Sequence, residues 1–191
     1  MALVEKLTID VDDYLQGELV SDTKFEFIHG ETWEMPGVNR SHNIISINLL
    51  GMLHAHLRNT SCRVYSGDMK VRVQADSDDC FFYPDLHVTC SHSDTAELYN
   101  TQPKLIVEVL SDATERYDRA EKFHHYRKLA SLEEYVLIAQ DLQRVECYRR
   151  AEAWDLHLYQ HGDFARFESI GLELPLVNIY EGVTFSAPPD S

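Results

Sequence analysis

The feature that most constrains this chain is a glutamate in the middle of an apolar run, KLIVEVLS, at residues 104–111. Ile106 and Leu110 lie on the same face of the predicted strand as Glu108, and three further apolar residues lie on the other face. Apolar residues on both faces indicate a central strand that is covered on both sides. A carboxylate in such a strand loses its hydration, so it must be protonated, paired with a cation or bound to a metal.

The segments before this strand predict one short helix, a hairpin and one long helix. TIDVDDYLQ is typical of a short helix, and KFEFIHGETWEM is typical of a hairpin that turns at His29 and Gly30. SHNIISINLLGMLHAHLRN predicts a long amphipathic helix with Ser41 as the N-cap candidate. Its apolar stripe runs through Ile44, Ile47, Leu50 and Leu53 or Leu57.

The remaining segments predict strands around one further helix. That helix is DATERYDRAEKFHHYRKLA, capped by Asp112 or Thr114. The strand patterns are CRVYSGDMKVRVQ, CFFYPDLHVTC, EEYVLIAQ, RVECYRR and WDLHLYQ. Strands and helices in this order predict an α/β fold with a mixed central sheet flanked by helices.

The length of 191 residues fits a single domain, which we place at residues 1–186, followed by a flexible C-terminal tail at 187–191. No apolar run reaches the roughly 20 residues that span a bilayer, and the N-terminal segment is acidic rather than signal-like. We therefore expect a soluble, cytoplasmic protein without a membrane partner.

The four cysteines and the net charge restrict the function classes. Cys62, Cys80, Cys90 and Cys147 form no C-x-x-C pair, which argues against a cysteine-based zinc site or a disulfide framework and predicts reduced thiols. The formal net charge of −15 opposes non-specific binding of nucleic acid, because phosphate contacts are made mainly by lysine and arginine.

Three ionisable residues are expected to meet at one sheet edge. Asp85 ends a YPD motif in the strand before Glu108, and Asp118 and Lys122 share one face of the following helix. Two carboxylates that face one point suit magnesium, and a nearby ammonium can orient a water molecule or stabilise charge on a phosphoryl group. The alternative is a structural ion pair between Glu108 and Lys122, with Asp85 merely ending its strand.

These motifs resemble a known family. YPD and IVEVLS, followed by YDRAEKFHHYRKLASLEEYVLI, are similar to the Uma-type restriction-endonuclease family, whose bacterial members belong to the PD-(D/E)XK nuclease superfamily. The resemblance extends to FEFIHGE, to SHN at the start of the long helix, to CRVYSGDMKVRV and to IYEGVTF, and so covers nearly the whole chain.

The resemblance implies a restriction-endonuclease-like core and metal-dependent hydrolysis of phosphodiester bonds. Asp85 and Glu108 match the metal-binding acids, the backbone carbonyl of Val109 matches a further ligand, and Glu26 matches an auxiliary acid from the N-terminal segment. The implied cofactor is Mg²⁺ or Mn²⁺, the implied substrate is DNA, and cleavage of a duplex favours a homodimer.

One position departs from the superfamily motif. The lysine of an E-x-K motif would stand at position 110, which is Leu110, and Lys122 matches its migrated replacement. The alternative function is that of a catalytically inactive nuclease-fold protein, which would act as an interaction or nucleic-acid-binding scaffold.

The histidines and the basic residues add weaker signals. The spacing of His54 and His56, like that of His124 and His125, gives no zinc-ligand face. His87 shares a strand face with Asp85 and is a candidate to orient that carboxylate. Basic residues along the predicted helix suggest a phosphate-facing strip or a solvated face; they are Arg116, Arg119, Lys122, Arg127 and Lys128.

Overall fold

The structure, a computed structural model, describes residues 8–75 and 78–185. In this part of the chain the α-helical segments are α1 Val11–Val20, α2 Arg40–His56, α3 Glu115–Tyr117, α4 Phe123–Tyr126 and α5 Leu176–Ile179. A π-helical turn, Asp118–Lys122, joins α3 to α4. Two 3₁₀ turns lie at Arg150–Glu152 and Glu168–Ile170. The tail predicted at 187–191 lies outside the described residues.

The strands follow one another along the same described ranges. In chain order they are β1 Phe25–Ile28, β2 Glu31–Glu34, β3 Arg63–Ser66, β4 Lys70–Ala75, β5 Asp78–Phe82, β6 Leu86–Thr89, β7 Tyr99–Asn100, β8 Pro103–Leu110, β9 Glu134–Ala139, β10 Arg144–Arg149, β11 Leu156–Gln160, β12 Phe164–Phe167 and β13 Leu172–Pro175.

These strands form three sheets. The largest has the order β11-β10-β9-β8-β6-β3, and a second has the order β2-β1-β5-β4-β7. The pairs β8–β9 and β4–β7 are parallel and the other pairs of both sheets are antiparallel, so the two sheets are mixed. β12 and β13 form a small antiparallel ribbon. The prediction of an α/β fold with a mixed sheet is confirmed.

Along the described residues the chain passes between the two large sheets five times, and two of these crossings flank the pair β4 and β5. β3 belongs to the largest sheet and β4 to the second, with a turn between them. β5 belongs to the second sheet and β6 to the largest, so the predicted strand segment CFFYPDLHVTC is divided in two. The division falls at Pro84, because a proline has no backbone N–H to continue the hydrogen bonding of β5. Asp85 therefore lies at the point where the sheets meet.

The largest sheet is covered on both faces. Val107 and Val109 of β8 pack in one core cluster, which includes the apolar side chains of α2. Ile106 and Leu110 pack in a second cluster, which includes Tyr126 of α4 and side chains of β4 and β5. The interpretation of β8 as a central strand between two layers is confirmed.

Helix α2 begins two residues earlier than the sequence suggests, and its buried stripe differs in part from the predicted one. Its N-cap is Asn39 rather than Ser41, and Asn39 Oδ1 accepts a hydrogen bond from the backbone N–H of His42 at 2.9 Å. Its buried side chains are His42, Ile45, Leu49 and Leu53, whereas Ile47 is exposed. The predicted stripe was therefore wrong at Ile47 but right at Leu53. His42 faces the interior because it lies three residues before Ile45, on the buried stripe.

The expectation of reduced cysteines throughout was also wrong, because Cys62 and Cys90 form a disulfide. Cys62 immediately precedes β3 and Cys90 immediately follows β6, and these two strands are antiparallel neighbours. The pairing thus joins positions 28 residues apart in sequence, which no local spacing reveals. Cys80 and Cys147 are buried and lie outside the disulfide. Within the described ranges, no helix has both the length and the apolar character that crossing a bilayer requires.

Candidate active site

Asp85 is held between the long helix and the central strand. Its Oδ2 accepts a hydrogen bond from the backbone N–H of Val109 at 2.7 Å, and its Oδ1 lies 2.8 Å from His42 Nε2. The carboxylate is partly open to solvent, with one fifth of its side-chain surface exposed. Asp85 is thus fixed in orientation while one side remains accessible.

Glu108 faces the same point from the central strand. Its Oε2 accepts a hydrogen bond from the backbone N–H of Asp85 at 3.3 Å. Its Oε1 lies 3.3 Å from Lys122 Nζ and accepts a hydrogen bond from the Tyr126 hydroxyl at 3.2 Å. The two acids are therefore linked in both directions: Glu108 accepts a hydrogen bond from the backbone of Asp85, and Asp85 accepts one from the backbone of Val109, the residue after Glu108. This reciprocal contact fixes the two carboxyl groups relative to each other.

The π-helical turn delivers Lys122 to this pair. Lys122 Nζ lies 2.8 Å from Glu26 Oε1, 3.3 Å from Glu108 Oε1 and 3.5 Å from Asp118 Oδ1. Only about 5% of the residue is exposed. A π turn inserts an extra residue into a helix and is frequent at functional sites, because it redirects side chains that a regular helix would place elsewhere. The predicted approach of Lys122 to the acidic pair is present as its contact with Glu108.

Glu26 reaches the site from the second sheet. It lies in β1, is buried, and accepts a hydrogen bond from the backbone N–H of Tyr83 at 3.2 Å through Oε1, the oxygen that faces Lys122. Strands from both sheets and the interrupted helix therefore converge on one ammonium. The structure brings together all the residues that the sequence placed in the site: Glu26, Asp85, Glu108, Val109 and Lys122.

The charges in the site do not balance. Among the described residues, the Lys122 ammonium lies within 3.5 Å of three carboxylates, those of Glu26, Glu108 and Asp118, and a fourth acid, Asp85, adjoins Glu108. Burial lowers the pKa of Lys122, but the attraction of Glu108, Glu26 and Asp118 outweighs it and raises that pKa well above its ordinary value. Lys122 is therefore charged.

Burial and the neighbouring negative charges favour the neutral form of the acids. Burial raises the pKa of Glu108 well above its ordinary value, and Lys122 offsets only part of that shift. Burial likewise raises the pKa of Asp118. Protons or a further cation must supply the missing positive charge, because an uncompensated buried carboxylate is unfavourable.

The donor atoms suit a hard divalent cation. Asp85 and Glu108 present carboxylate oxygens, which Mg²⁺ and Mn²⁺ prefer. A strand residue directs its N–H and its C=O to the same neighbouring strand. Because the N–H of Val109 points at Asp85, its carbonyl is on the side of the acidic pair. His42 contacts Asp85 from outside the proposed metal position, and such a contact orients a carboxylate that binds a metal.

His42 is a site residue that the residue-by-residue interpretation of the sequence missed. The candidate proposed to orient Asp85 was His87, but His87 Nε2 accepts a hydrogen bond from Asn100 at 2.8 Å, and its ring stacks on Tyr65. The available signal was the SHN motif at the start of α2. Its use required the buried face of α2 to be placed through Ile45 and Leu49, because His42 lies on that face.

The site opens into a cleft of about 690 Å³. One wall is apolar and comes from β2 and the loop after it, with Trp33 and Val38 both more than half exposed. The acidic side chains that line the cleft are Glu26, Glu31, Glu34, Asp85, Glu108, Asp118 and Glu121. In the absence of a bound cation, the part of the cleft that a phosphodiester would enter is therefore strongly negative.

The basic residues of the interrupted helix do not form one strip. Lys122 is buried in the site, and Arg119 pairs with Glu146 and Glu115. The guanidinium of Arg127 lies over the ring of Phe123. These side chains thus make separate contacts with the protein rather than a continuous phosphate-facing surface.

Comparison with known proteins gives concordant matches. A family described as "Uma2: Putative restriction endonuclease" matches residues 11–177. Uncharacterized protein slr1290 of Synechocystis sp. is 32% identical over 177 residues, which cover 91% of this chain and 92% of that protein. Uncharacterized protein sll1609 of the same organism is 35% identical over 141 residues, covering 72% and 78%.

A solved structure shares the fold. A crystal structure from Anabaena variabilis, described as that of "a putative nuclease belonging to DUF820", superposes with a TM-score of 0.73 at 16% identity. The match covers 92% of this chain and 99% of that chain. At this identity the likeness establishes the architecture, which is the nuclease-like fold that the sequence predicted.

Proposed function

Because this chain belongs to the Uma2 family of restriction-endonuclease-like proteins, we propose that it is a metal-dependent nuclease that hydrolyses phosphodiester bonds. The observation that carries the proposal is the reciprocal contact of Asp85 and Glu108 beside the buried ammonium of Lys122. This arrangement combines two oxygen ligands with a fixed positive charge, as hydrolysis of a phosphodiester requires.

In the proposed site, Asp85, Glu108 and the carbonyl of Val109 hold one Mg²⁺ or Mn²⁺ ion. A bound divalent cation lowers the pKa of a coordinated water molecule and offsets charge that develops on the phosphoryl group. His42 keeps the Asp85 carboxylate in one orientation, and the Tyr126 hydroxyl does the same for Glu108.

Lys122 acts on the attacking water. Its ammonium lies beside Glu108 Oε1, where it can orient a water molecule and stabilise the charge of the transition state. Glu26 is the auxiliary acid, and its 2.8 Å contact fixes the ammonium from the side of the second sheet. Leu110, at the position of the E-x-K lysine, is buried in an apolar cluster, so the charge arrives from the helix instead.

DNA is the proposed substrate, and a homodimer is the proposed assembly. Two active sites would cut the two strands of a duplex, and symmetric pairs are the commonest soluble oligomers. Light scattering at micromolar concentration tests the assembly, and a monomer mass alone would contradict it.

The acidity of the cleft favours one second candidate function, that of a catalytically inactive scaffold with the nuclease fold. Seven carboxylates and Lys122 line the cleft, and the chain as a whole carries a net charge of −15. Such a surface repels a polyanion unless bound cations compensate it. A scaffold of this kind would retain the metal site and the fold without cutting DNA.

Cleavage assays distinguish the two functions. The parent, Lys122→Ala and the double variant Lys122→Ala/Leu110→Lys are incubated with manganese on plasmid DNA and on single-stranded DNA. We expect Lys122→Ala to lose about 10²–10³-fold in rate, because an electrostatic stabiliser of the transition state is removed. The second substitution should restore part of the rate, limited by the cost of placing an ammonium in the core.

The matched control is Lys104→Ala, which removes a partly exposed lysine paired with Glu133. It should cleave like the parent, and circular dichroism confirms that each variant is folded. If Lys122→Ala cleaves as fast as Lys104→Ala, the role of Lys122 is wrong. If the folded, metal-bound parent cleaves neither substrate, the scaffold function is favoured.

A further inference from the structure

A second group of metal-ligating side chains lies outside the acidic site. The imidazoles of His29 and His125 and the thiol of Cys80 place one ligand atom each within 4.8 Å of one another. Cys80 Sγ lies 3.9 Å from His125 Nδ1, and the two histidine rings have centroids 5.8 Å apart. These residues come from the β1–β2 turn, from β5 and from α4, so their proximity is a property of the tertiary fold.

We propose that His29, Cys80 and His125 form a zinc site, with three protein ligands and a fourth position open to water. The ligand types select the metal, because thiolate and imidazole suit zinc, whereas the oxygen ligands of the acidic site suit magnesium. The proposal is independent of the nuclease function and concerns different side chains.

The separation of Cys80 from His125 is close to that of two ligands in a tetrahedral zinc centre. Zinc binds sulfur at about 2.3 Å and imidazole nitrogen at about 2.0–2.1 Å, so a tetrahedral angle separates the sulfur and nitrogen by about 3.6 Å. The observed separation of 3.9 Å between Cys80 Sγ and His125 Nδ1 exceeds this by a few tenths of an ångström. Rotation about side-chain bonds closes such a gap without movement of the backbone.

The surroundings hold the ligands in place. Cys80 is fully buried in β5, and the ring of His125 packs against Phe82 with centroids 5.6 Å apart. His29 has a backbone φ of 51°, a left-handed conformation that few non-glycine residues adopt, and its side chain is on the wall of the cleft. Of the three ligands, His29 is the one exposed to solvent, so the ion can enter from its side.

A bound zinc ion would connect the two elements that hold the acidic site. The β1–β2 turn follows Glu26, and His125 lies three residues after Lys122 on the same interrupted helix. A bond between these elements would limit their separation and hold Glu26 and Lys122 in contact. The zinc site is thus a positioning clamp behind the acidic site.

The local spacing of cysteines and histidines in the sequence does not exclude this site. Neither the separated cysteines nor the adjacent pair His124 and His125 forms a sequence motif for zinc, because each ligand comes from a different element. The identity of the ligands can be read only from the packing of α4 against the second sheet.

The test uses cobalt as a spectroscopic substitute for zinc. The full chain, stripped of metal and kept under argon, is titrated with Co²⁺ and then with Zn²⁺. The parent should develop a thiolate-to-cobalt charge-transfer band in the near ultraviolet, which zinc should displace. Cys80→Ser should lack the band. His29→Gln and His125→Gln should each bind cobalt more weakly than the parent, and the loss in affinity should exceed the roughly 10–100-fold that removal of a residue behind a ligand costs.

Three controls separate this site from other binding. Cys147→Ser removes the other buried cysteine outside the disulfide, and His124→Gln removes the neighbouring imidazole; both variants should keep the band. Asp85→Asn/Glu108→Gln should keep it as well, because the acidic pair contributes no sulfur. Circular dichroism establishes that each variant is folded.

Two results overturn the proposal. The first is a parent without a charge-transfer band, which would leave only a thiol–imidazole hydrogen bond between Cys80 and His125. The second is a band that persists in folded Cys80→Ser or disappears in folded Cys147→Ser. Zinc should also raise the thermal midpoint of the parent and of Cys147→Ser but not of Cys80→Ser; an equal rise in all three would count against the site.

Discussion

Replacement of Lys122 by methionine removes the one ammonium among four carboxylates and keeps most of the side-chain volume. The parent contacts are 2.8 Å to Glu26, 3.3 Å to Glu108 and 3.5 Å to Asp118. Removal of one partner of a buried ion pair costs about 3–5 kcal/mol, because the remaining charge is left uncompensated. We expect Lys122→Met to lose about that free energy of unfolding near pH 8 in the presence of EDTA.

The loss should depend on pH in a defined direction. The pKa values of Glu108 and Asp118 are raised in the folded protein by burial, and Lys122 opposes both shifts. Without Lys122 these pKa values rise further. Groups with a raised folded pKa destabilise the fold as pH increases from their unfolded values near 4 through their folded values. Lys122→Met should therefore approach the parent in stability near pH 5 and fall below it as pH increases.

Urea unfolding followed by tryptophan fluorescence measures these differences, with Mg²⁺ added in a second series. Magnesium should restore more stability to Lys122→Met than to the parent, because the ion supplies the missing positive charge. The control, Lys104→Met, removes a partly exposed ion pair and should change stability by less than about 1 kcal/mol. A Lys122→Met variant as stable as Lys104→Met at both pH values would refute the assignment of a buried, charge-deficient site.

Three further predictions concern other parts of the fold. Burial lowers the pKa of His87 from 6.5 to about 3, so the parent should lose stability as pH falls from 6.5 toward 3. His87→Gln should lose less stability over that range, and the difference in urea titrations should reach up to roughly 4 kcal/mol. The double variant Cys62→Ala/Cys90→Ala should be about 3–4 kcal/mol less stable than the oxidised parent and equal to it in dithiothreitol, because the disulfide closes a loop of 28 residues; equal stability without dithiothreitol would contradict the pairing. His42→Ala should weaken manganese binding by about 10–100-fold in calorimetry, because Asp85 loses its orienting partner, and the exposed His54→Ala should leave binding unchanged.

Much of the central sheet could be predicted because its signals are local. The apolar run around Glu108 identifies a buried strand, and the four-residue spacing of Asp118 and Lys122 places both on one face of the following helix. The partner of Glu108 was therefore accessible to reasoning from the sequence. The π turn that brings Lys122 into the site was not, because no residue pattern distinguishes it from a regular helix.

The missed features depend on contacts between distant segments. The disulfide joins Cys62 to Cys90 only because β3 and β6 are neighbours, and the division of CFFYPDLHVTC depends on a second sheet that accepts β5. His42 faces Asp85 because it lies on the buried stripe of α2 with Ile45 and Leu49, whereas the apolar pattern alone placed that stripe through Ile44 and Ile47. Register and sheet pairing are set by tertiary packing, so local periodicity leaves them open.

A crystal soaked in manganese tests the central claim most directly, because anomalous scattering identifies the ion and its position. The account predicts one anomalous peak at coordination distance from a carboxylate oxygen of Asp85, a carboxylate oxygen of Glu108 and the carbonyl of Val109. The peak should be absent from crystals of Asp85→Asn soaked in the same way. A saturating soak that places manganese only on other acids of the cleft, such as Glu31 and Glu34, or nowhere in it, would contradict the proposed metal centre.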